Sequence, residues 1–278
     1  MTELTVEQQQ QVKAAAKQIR KDVLRMVTEA NSGHPGGSFS CADLLALLYE
    51  VELHVDPRVP QLANRDRVVL SKGHAAPALY AALAHKGYFS REELWKLRKI
   101  DAMLQGHPDM KHTPGVDMTT GSLGQGFSAA CGMALAAQSD QDAFHVFAVL
   151  GDGELQEGQV WEAAMFAGHY RLHTLTACID NNGLQIDGNV TDVMSPLPIA
   201  DKFRAFNWHV IEADGHDIQA LHAAIQEARA ETSAPTAIVM KTIKGKGVRE
   251  MENQAGWHGK APSAEQYTIF AAELEGED

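Results

Sequence analysis

Residues 144–183 of the chain read FHVFAVLGDGELQEGQVWEAAMFAGHYRLHTLTACIDNNG, and this stretch decides the fold. Two apolar runs, VFAVL and LTACI, have the length of buried strands, and each ends in a polar turn that contains glycine. Between them, the segment from Trp161 to Tyr170 has a helical pattern. A strand, a helix and a second strand in this order form a right-handed crossover, which predicts two parallel strands in one sheet.

The same alternation of helices and strands continues on both sides of this unit. Apolar residues recur at helical spacing from Val6 to Ala30. Further helices are predicted from Ala42 to Tyr49, Phe127 to Ala137 and Ile218 to Ala230. Further strands are predicted from Val68 to Leu70, Trp208 to Ala213 and Thr236 to Lys241. The segment NSGHPGGSFS (31–40) is predicted to be a loop.

Strands that alternate with helices indicate the α/β class, with a mainly parallel sheet and helices on both faces. No linker rich in Gly, Ser or Pro and no internal repeat divides the chain. We therefore expect a single domain over residues 1–278. Its core is expected over about residues 10–262, followed by an acidic, partly mobile C-terminal tail over about 263–278.

Composition excludes several classes of protein. The 278 residues contain 24 Lys and Arg against 36 Asp and Glu, and the net charge of −12 disfavours a general nucleic-acid-binding surface. The sequence contains neither a membrane-spanning apolar run nor, at its start, a signal-peptide pattern. Cys41, Cys131 and Cys178 are dispersed, as reduced core thiols are. We expect a cytoplasmic protein that binds neither nucleic acid nor membrane.

Polar side chains follow both strands of the central unit. Asp152 lies in GDGE (151–154) and Asn182 in DNNG (180–183), with 27 residues between GDG and NN. Ligands of open parallel sheets bind at the carboxyl ends of the strands, and oxygen ligands of this kind suit Mg²⁺ with a phosphate group. The alternative is that both motifs are simple turns. Their position after two apolar strands favours a metal and phosphate site.

The motifs resemble those of one family. GDG and NN at this spacing are similar to the fingerprint of thiamine diphosphate enzymes, and the surrounding motifs resemble transketolase: GHPGGSFSCAD, LSKGHAAPALYAAL, GHPD, GSLGQGFSAACGMALA, GDGELQEGQVWEA, NNGLQIDG and GWHGKAP. The resemblance runs from about Val12 to Pro262 and corresponds to the family's N-terminal, diphosphate-binding domain. It implies the thiamine diphosphate-binding fold, thiamine diphosphate with Mg²⁺ (or Ca²⁺ or Mn²⁺) as cofactors, and transfer of a two-carbon ketol unit from a ketose to an aldose.

The resemblance also implies site residues. The implied metal ligands are Asp152, Asn182 and the main-chain carbonyl of Leu184. The implied cofactor contacts are the amides of Gly153 and Glu154, the backbone of Gly121, Ser122 and Leu123, and the side chains of His74, Asn182, Ile186, Lys244 and His258. The implied catalytic residues are His34, His107 and His258, which would bind sugar hydroxyls and move protons.

Most of the 13 histidines need no functional interpretation. We expect seven of them to be surface or core residues: His54, His85, His112, His145, His173, His209 and His222. His34, His74, His107 and His258 lie in motifs rich in Gly and Pro, which are typical of exposed functional loops.

GSLGQG lacks the order of a dinucleotide-binding loop, so an NAD site is not expected. Glu157 is either a solvated helix residue or, as the resemblance implies, part of a subunit interface.

The resemblance implies a partner as well. In the family, a second, pyrimidine-binding domain completes the site, and only 16 residues follow Pro262. We therefore expect a naturally split transketolase, in which this subunit is active only with a separate C-terminal subunit. The simplest closed assembly is an α2β2 heterotetramer acting on ketose and aldose sugars. The alternative is that the sequence is a shortened piece of a longer protein.

Other functions remain open at this point. One is another thiamine diphosphate enzyme, such as a 2-oxoacid dehydrogenase α-type chain or a deoxyxylulose-phosphate synthase-like protein. Another is a non-catalytic paralogue that only binds the cofactor. His34 and His107 favour transketolase, since sugar hydroxyls need such partners. The sequence does not decide whether the sugar carries a phosphate, a sulfonate or neither.

Overall fold

A computed structural model describes residues 3–276 of the chain. Within this range five strands form one parallel sheet in the order β1-β2-β3-β7-β6. The strands are β1 (Arg67–Leu70), β2 (Val146–Gly151), β3 (Leu175–Asn181), β6 (His209–Asp214) and β7 (Thr236–Lys241), and a separate antiparallel hairpin consists of β4 (Leu184–Gln185) and β5 (Gly188–Asn189).

Helices connect the strands and cover the sheet. They are α1 (Val6–Ala30), α2 (Pro35–Ser40), α3 (Ala42–Leu47), α4 (Ala76–Lys86), α5 (Gln125–Asp140), α6 (Gly158–Tyr170), α7 (Val190–Val193), α8 (Ile199–Ala205), α9 (Ile218–Ala230) and α10 (Ala264–Glu275). The first begins with a capping box, because the Thr5 hydroxyl accepts from the Gln8 amide while the Gln8 side chain accepts from the Thr5 amide.

Two hydrophobic cores lie on opposite faces of the sheet. Successive strand residues point to opposite faces, so Phe147 and Val149 pack in the core with α1, α3, α4, α9 and α10, whereas Ala148 and Leu150 pack in the core with α5, α6 and α8. Burial on both faces explains why the central strands β2, β3 and β7 are largely apolar. The predicted fold class is confirmed.

The register of the sheet brings three loops to one edge. Gly151 of β2 is paired with Asp180 of β3, and Asn181 of β3 is paired with Lys241 of β7. The loops after these three strands therefore begin side by side. This edge carries most of the residues that the motifs single out.

The structure differs from the sequence predictions in two segments. The predicted loop 31–40 contains α2, which begins at Pro35, a residue suited to the first helical turn. The predicted mobile tail contains α10, where a capping box at Ser263 starts the helix and Phe270 and Leu274 enter the core. Residues 277 and 278 of that tail lie outside the described residues. Among residues 3–276, no helix is both long and apolar enough to cross a membrane.

Candidate functional site

Asp152 joins the loops after β2 and β3. Its side chain is 1% exposed, and its two carboxylate oxygens accept from the main-chain N–H groups of Gly153 (2.7 Å) and Gly183 (2.5 Å). Since parallel neighbours β2 and β3 end together, a carboxylate on the first loop reaches the backbone of the second. The structure thus brings Asp152 into contact with the DNNG turn.

Asn182 and Leu184 flank Gly183, whose amide makes that contact. The Asn182 side chain donates to Asp180 Oδ2 at 3.2 Å, and its Oδ1 accepts from the Leu184 amide at 3.1 Å. The Leu184 carbonyl accepts from Lys244 Nζ at 3.4 Å. The three oxygen donors predicted as metal ligands are therefore gathered in one turn and its neighbouring loop.

The electrostatics of Asp152 fit a bound cation. Burial, with a contribution from Asp180, raises the pKa of Asp152 to about 7, and no Lys, Arg or His of the described chain forms an ion pair with it. A carboxylate, an amide oxygen and a carbonyl oxygen form the kind of donor set that Mg²⁺ takes together with phosphate oxygens and water. Residues 3–276 contain no group of three or more His, Cys, Asp and Glu that could hold a metal, so a metal here depends on such additional oxygens.

A cavity of about 350 Å³ opens beside this turn. This volume is within the range of about 300–1,000 Å³ that small-molecule sites have. Eleven of the predicted residues line it: His74, Gly121, Leu123, Asp152, Gly153, Glu154, Asn182, Leu184, Ile186, Lys244 and His258. The other three, Ser122, His34 and His107, do not line it.

Two glycines allow the loops near the cavity to pack closely. A Cβ atom on Gly153 would lie 2.8 Å from Gln185 Cβ, and one on Gly73 would lie 2.7 Å from the Gly121 nitrogen. Such distances are shorter than side chains tolerate, so larger residues would displace the loops. Glycine at these two positions therefore allows the loops to approach each other closely.

Four histidines cluster at one end of the cavity, two in its wall and two directly behind them. The ring of His34 lies 5.3 Å from that of His74, 6.3 Å from that of His107 and 5.4 Å from that of His258, measured between centroids. The rings of His74 and His258 are 4.9 Å apart. These residues come from segments distant in sequence, and the sequence prediction selected all four.

The histidine cluster is uncharged at neutral pH. Burial is the main cause, with contributions from nearby cations, and it lowers the pKa of His34 to about 4 and of His258 to about 3. The same causes lower the pKa values of His74 and His107. The buried Nδ1 of His34 has no hydrogen-bond partner among residues 3–276, although buried polar atoms usually have one.

Lys244 and His258 lie together at the cavity wall, with Lys244 Nζ 3.1 Å from His258 Nδ1. Burial lowers the pKa of Lys244 to about 8, and Lys72 lowers it as well. An anionic ligand next to this ammonium would relieve both effects. The pair is therefore suited to binding a negatively charged group.

Sequence reasoning missed a buried ion pair beneath the site. Lys72 Nζ donates to Asp180 Oδ2, and both side chains are at most 1% exposed. Asp180 also accepts from Ser40 Oγ at 2.5 Å and from Thr242 Oγ1. Burial would raise the pKa of Asp180, but Lys72 and these hydrogen bonds lower it. Both residues lie within quoted motifs, SKGH and DNNG, but their pairing across 108 positions has no local signal.

Glu154 contributes its side chain, whereas the sequence prediction assigned only its amide. The carboxylate accepts from Ser71 Oγ at 2.5 Å, from the Gly124 amide at 2.9 Å and from the Gly151 amide at 3.1 Å. It therefore fastens the GSLGQG loop to the GDG loop. Glu157, in contrast, is exposed at the edge of the cavity.

Comparisons with known proteins find one matching family and several similar chains. The family described as "Transketolase, thiamine diphosphate binding domain" matches residues 11–274. The chain is 47% identical over 271 residues to the 6-deoxy-6-sulfo-D-fructose transketolase subunit SqwG of Clostridium sp. strain MSTE9, covering 98% of both chains. It is 40% identical to a subunit of the apulose-4-phosphate transketolase of Phocaeicola vulgatus, covering 92% of this chain and 90% of that one.

Longer relatives match over part of their length. Human transketolase is 42% identical over 253 residues, which cover 90% of this chain and 40% of the human protein. The structure of transketolase from Leishmania mexicana superimposes with a TM-score of 0.89 at 31% identity, covering 95% of this chain and 41% of that one. The chain thus spans about two fifths of these transketolases.

Proposed function

Since this chain belongs to the family of transketolase thiamine diphosphate-binding domains, we propose that it is the diphosphate-binding subunit of a two-subunit transketolase. The reaction transfers a two-carbon ketol unit from a ketose donor to an aldose acceptor. The observation that carries this proposal is the cavity that is lined by Asp152, Asn182, Lys244 and two members of the histidine cluster, His74 and His258. The family favours this function over the 2-oxoacid dehydrogenase and deoxyxylulose-phosphate synthase alternatives.

We propose that the metal, Mg²⁺ or a similar hard cation, is held by Asp152, Asn182 and the Leu184 carbonyl. The raised pKa of Asp152, a buried carboxylate with no cationic partner among residues 3–276, supports this assignment. The amides of Gly153 and Glu154, with His74 and Lys244, bind the diphosphate in this proposal. The apolar side chains of Leu123 and Ile186 and the backbone from Gly121 to Leu123 flank its ring systems.

When bound, thiamine diphosphate supplies the carbanion stabilisation that cleavage and formation of the C–C bond require. The chain's own residues bind, orient and exchange protons. Neutral His34, His107 and His258 are each able to donate or accept a hydrogen bond to a sugar hydroxyl, because their pKa values lie below the ordinary value of an imidazole. We assign them to sugar binding and proton movement.

The remaining part of the site comes, in this proposal, from a separate C-terminal subunit in an α2β2 assembly. Two relatives of nearly the same length as this chain are named transketolase subunits, which supports a split enzyme. The structure supports a partner surface as well, because Ile186, Met194 and Leu197 near the cavity are exposed by 62%, 65% and 47%.

The sugar is proposed to carry an acidic terminal group. The names of the two related subunits refer to a sulfonated and a phosphorylated sugar, respectively. A screen of sulfonated, phosphorylated and neutral ketose donors with the reconstituted pair of subunits would identify the preferred group.

Calorimetry and an activity assay test the function. We expect thiamine diphosphate to bind to the chain in the presence of Mg²⁺ and to bind more weakly after the metal is chelated. We expect ketol transfer only when the C-terminal subunit is added. Cofactor binding without ketol transfer in the assembled complex would instead support the non-catalytic paralogue, and full activity of the chain alone would contradict the split enzyme.

A further inference from the structure

His216 connects a helix outside the cofactor cavity to the segment that carries Lys244. It follows β6, and its Nδ1 lies 2.7 Å from Asp43 Oδ2 on α3. Its Nε2 accepts from the main-chain N–H of Ile243 at 2.9 Å. Because an amide N–H donates, Nε2 must be unprotonated, so the proton is on Nδ1 and points to Asp43. The two contacts therefore define one neutral tautomer.

Arg20 fixes the carboxylate that selects this tautomer. Its guanidinium contacts Asp43 with NH1 at 3.2 Å and NH2 at 2.5 Å, and NH2 also donates to the Phe39 carbonyl at 3.3 Å. Arg20 and Asp43 are 4% and 8% exposed. Burial would raise the pKa of Asp43, but Arg20 and His216 lower it to about 2. At neutral pH the Asp43 carboxylate is therefore ionised and accepts a hydrogen bond from the Nδ1–H group of His216.

The amide that His216 holds lies between two site residues. On one side, Thr242 Oγ1 donates to Asp180. On the other side, Lys244 Nζ contacts the Leu184 carbonyl at 3.4 Å and His258 Nδ1 at 3.1 Å. The chain turns here, since the Lys246 amide donates to the Ile243 carbonyl at 3.2 Å, and the Gly245 amide donates to the Gly36 carbonyl at 3.0 Å. A shift of the backbone at Ile243 would therefore move the Lys244 ammonium.

We propose that Arg20, Asp43 and His216 are positioning residues for Lys244: they hold the main chain at Ile243 and so set the place of the Lys244 ammonium in the cavity. None of the three lines the cofactor cavity. They line a second cavity of about 470 Å³ on the side of α1. The effect on cofactor binding rests on the proposed role of Lys244, whereas the effect on the backbone does not.

Two substitutions of one histidine separate the two contacts. His216→Asn keeps an amide near the Nδ1 position, where it can contact Asp43, but has no acceptor that reaches Ile243. His216→Gln places its carbonyl oxygen near the Nε2 position and keeps the acceptor. The first measurement, on the full chain without ligand, is hydrogen exchange of residues 242–245 and the rate of acetylation of Lys244 by mass spectrometry.

We expect His216→Asn to speed exchange at Ile243 by about tenfold and acetylation of Lys244 several-fold. His216→Gln, which keeps the acceptor for Ile243 but not the contact with Asp43, should lie between His216→Asn and the wild type. With Mg²⁺, thiamine diphosphate should bind about tenfold more weakly to His216→Asn than to His216→Gln. In the assembled enzyme, kcat at saturating cofactor should stay within about twofold, because no catalytic group is removed.

Equal exchange and equal Lys244 acetylation in the two variants would overturn the proposal. Unequal exchange and acetylation with equal cofactor affinity would support the positioning of Lys244 and contradict its proposed role in cofactor binding. If His216→Asn does not fold, Asp43→Asn is compared with the wild type instead, and faster exchange is expected at Ile243 because the charge that holds the proton on Nδ1 of His216 is removed. If the wild type binds no thiamine diphosphate at all, the proposed function fails, but the exchange and acetylation rates still decide whether the three residues position Lys244.

Discussion

The carboxylate of Asp152 accepts a hydrogen bond from the Gly183 amide at 2.5 Å, so the loop after β2 directly holds the loop after β3. The same carboxylate is buried, and burial together with Asp180 raises its pKa to about 7. A neutral side chain would avoid the cost of burying this charge. The position is therefore better explained by a ligand than by stability.

Asp152→Asn should change the pH dependence of stability. The pKa of Asp152 rises from 3.8 in the unfolded chain to about 7 in the folded chain. The stability that this carboxyl contributes is therefore full below pH ~4 and is lost as the pH rises through about 7. The Asn side chain does not ionise, so the variant does not lose this stability as the pH rises. We expect the difference in Tm, variant minus wild type, to be several degrees larger at pH 8 than at pH 5. Circular dichroism without ligand measures both Tm values.

The exposed Asp140 at the end of α5 provides the control for that experiment. Asp140→Asn should give the same Tm difference at both pH values. If Asp152→Asn also gave equal differences at pH 5 and pH 8, Asp152 would not carry the buried charge. Calorimetry should further show that Asp152→Asn loses metal-dependent binding of thiamine diphosphate.

Glu154→Ala should destabilise the chain and loosen two loops together. The substitution leaves the amides of Gly124 and Gly151 and the Ser71 hydroxyl without their acceptor in a buried place. Each unsatisfied group costs about 1–3 kcal/mol, so we expect a fall in Tm of more than about 5 °C. Glu162→Ala, on the exposed face of α6, is the control and should leave Tm within about 2 °C. Similar Tm values for both variants would contradict the role of Glu154.

Binding of the diphosphate should weaken at alkaline pH. Burial lowers the pKa of Lys244 to about 8, so in the free chain its ammonium is present below pH 8 and is lost above it. We expect the affinity for inorganic pyrophosphate with Mg²⁺, measured by calorimetry, to fall by up to about tenfold per pH unit above this value. Lys244→Met should bind weakly at every pH and show no such fall. A wild-type affinity that stays constant from pH 7 to pH 10 would exclude Lys244 as the anion-binding group.

Two glycine substitutions should have opposite effects. A Cβ atom at position 73 would lie 2.7 Å from the Gly121 nitrogen and 2.6 Å from Thr120 Oγ1, so Gly73→Ala displaces the backbone predicted to contact the cofactor ring. We expect a lower Tm and at least tenfold weaker cofactor binding. Gly132 in α5 has no heavy atom within 4 Å of such a Cβ atom, so Gly132→Ala should stabilise the chain by about 0.5–1 kcal/mol. Unchanged binding by Gly73→Ala would show that this loop does not limit the site.

The sequence predicted the elements whose pattern is local. The bounds of α1, α9 and β7 agree with the periodicity, and the apolar strands β2 and β3 lead to the expected site edge. Helix α2 was missed because its glycines and serines carry no apolar period. The structure of α10 was missed because acidic composition outweighed the two apolar residues, Phe270 and Leu274, that anchor it.

In the candidate site, too, the sequence singled out residues within local motifs and missed those whose partners are distant in sequence. Asp152, Asn182 and the four clustered histidines lie within motifs that resemble those of a family, so the sequence singled them out. The structure brings them to one region, and their roles stay predictions. Lys72, Asp180 and His216 were not assigned, because each acts through a partner far away in sequence. For His216 the available signal was its place directly after a strand, in the same kind of turn as GDG and DNNG.

The neutral histidine cluster links ligand uptake to the proton balance of the solution. Burial and nearby cations keep the imidazoles of His34 and His258 deprotonated. An anion that enters beside them compensates the positive charges and favours protonation of the rings. Near pH 4, where these rings titrate, binding of a polyanion should therefore withdraw protons from the buffer, and the heat of binding should vary with the ionisation enthalpy of the buffer; at neutral pH these two rings stay deprotonated and add no such contribution.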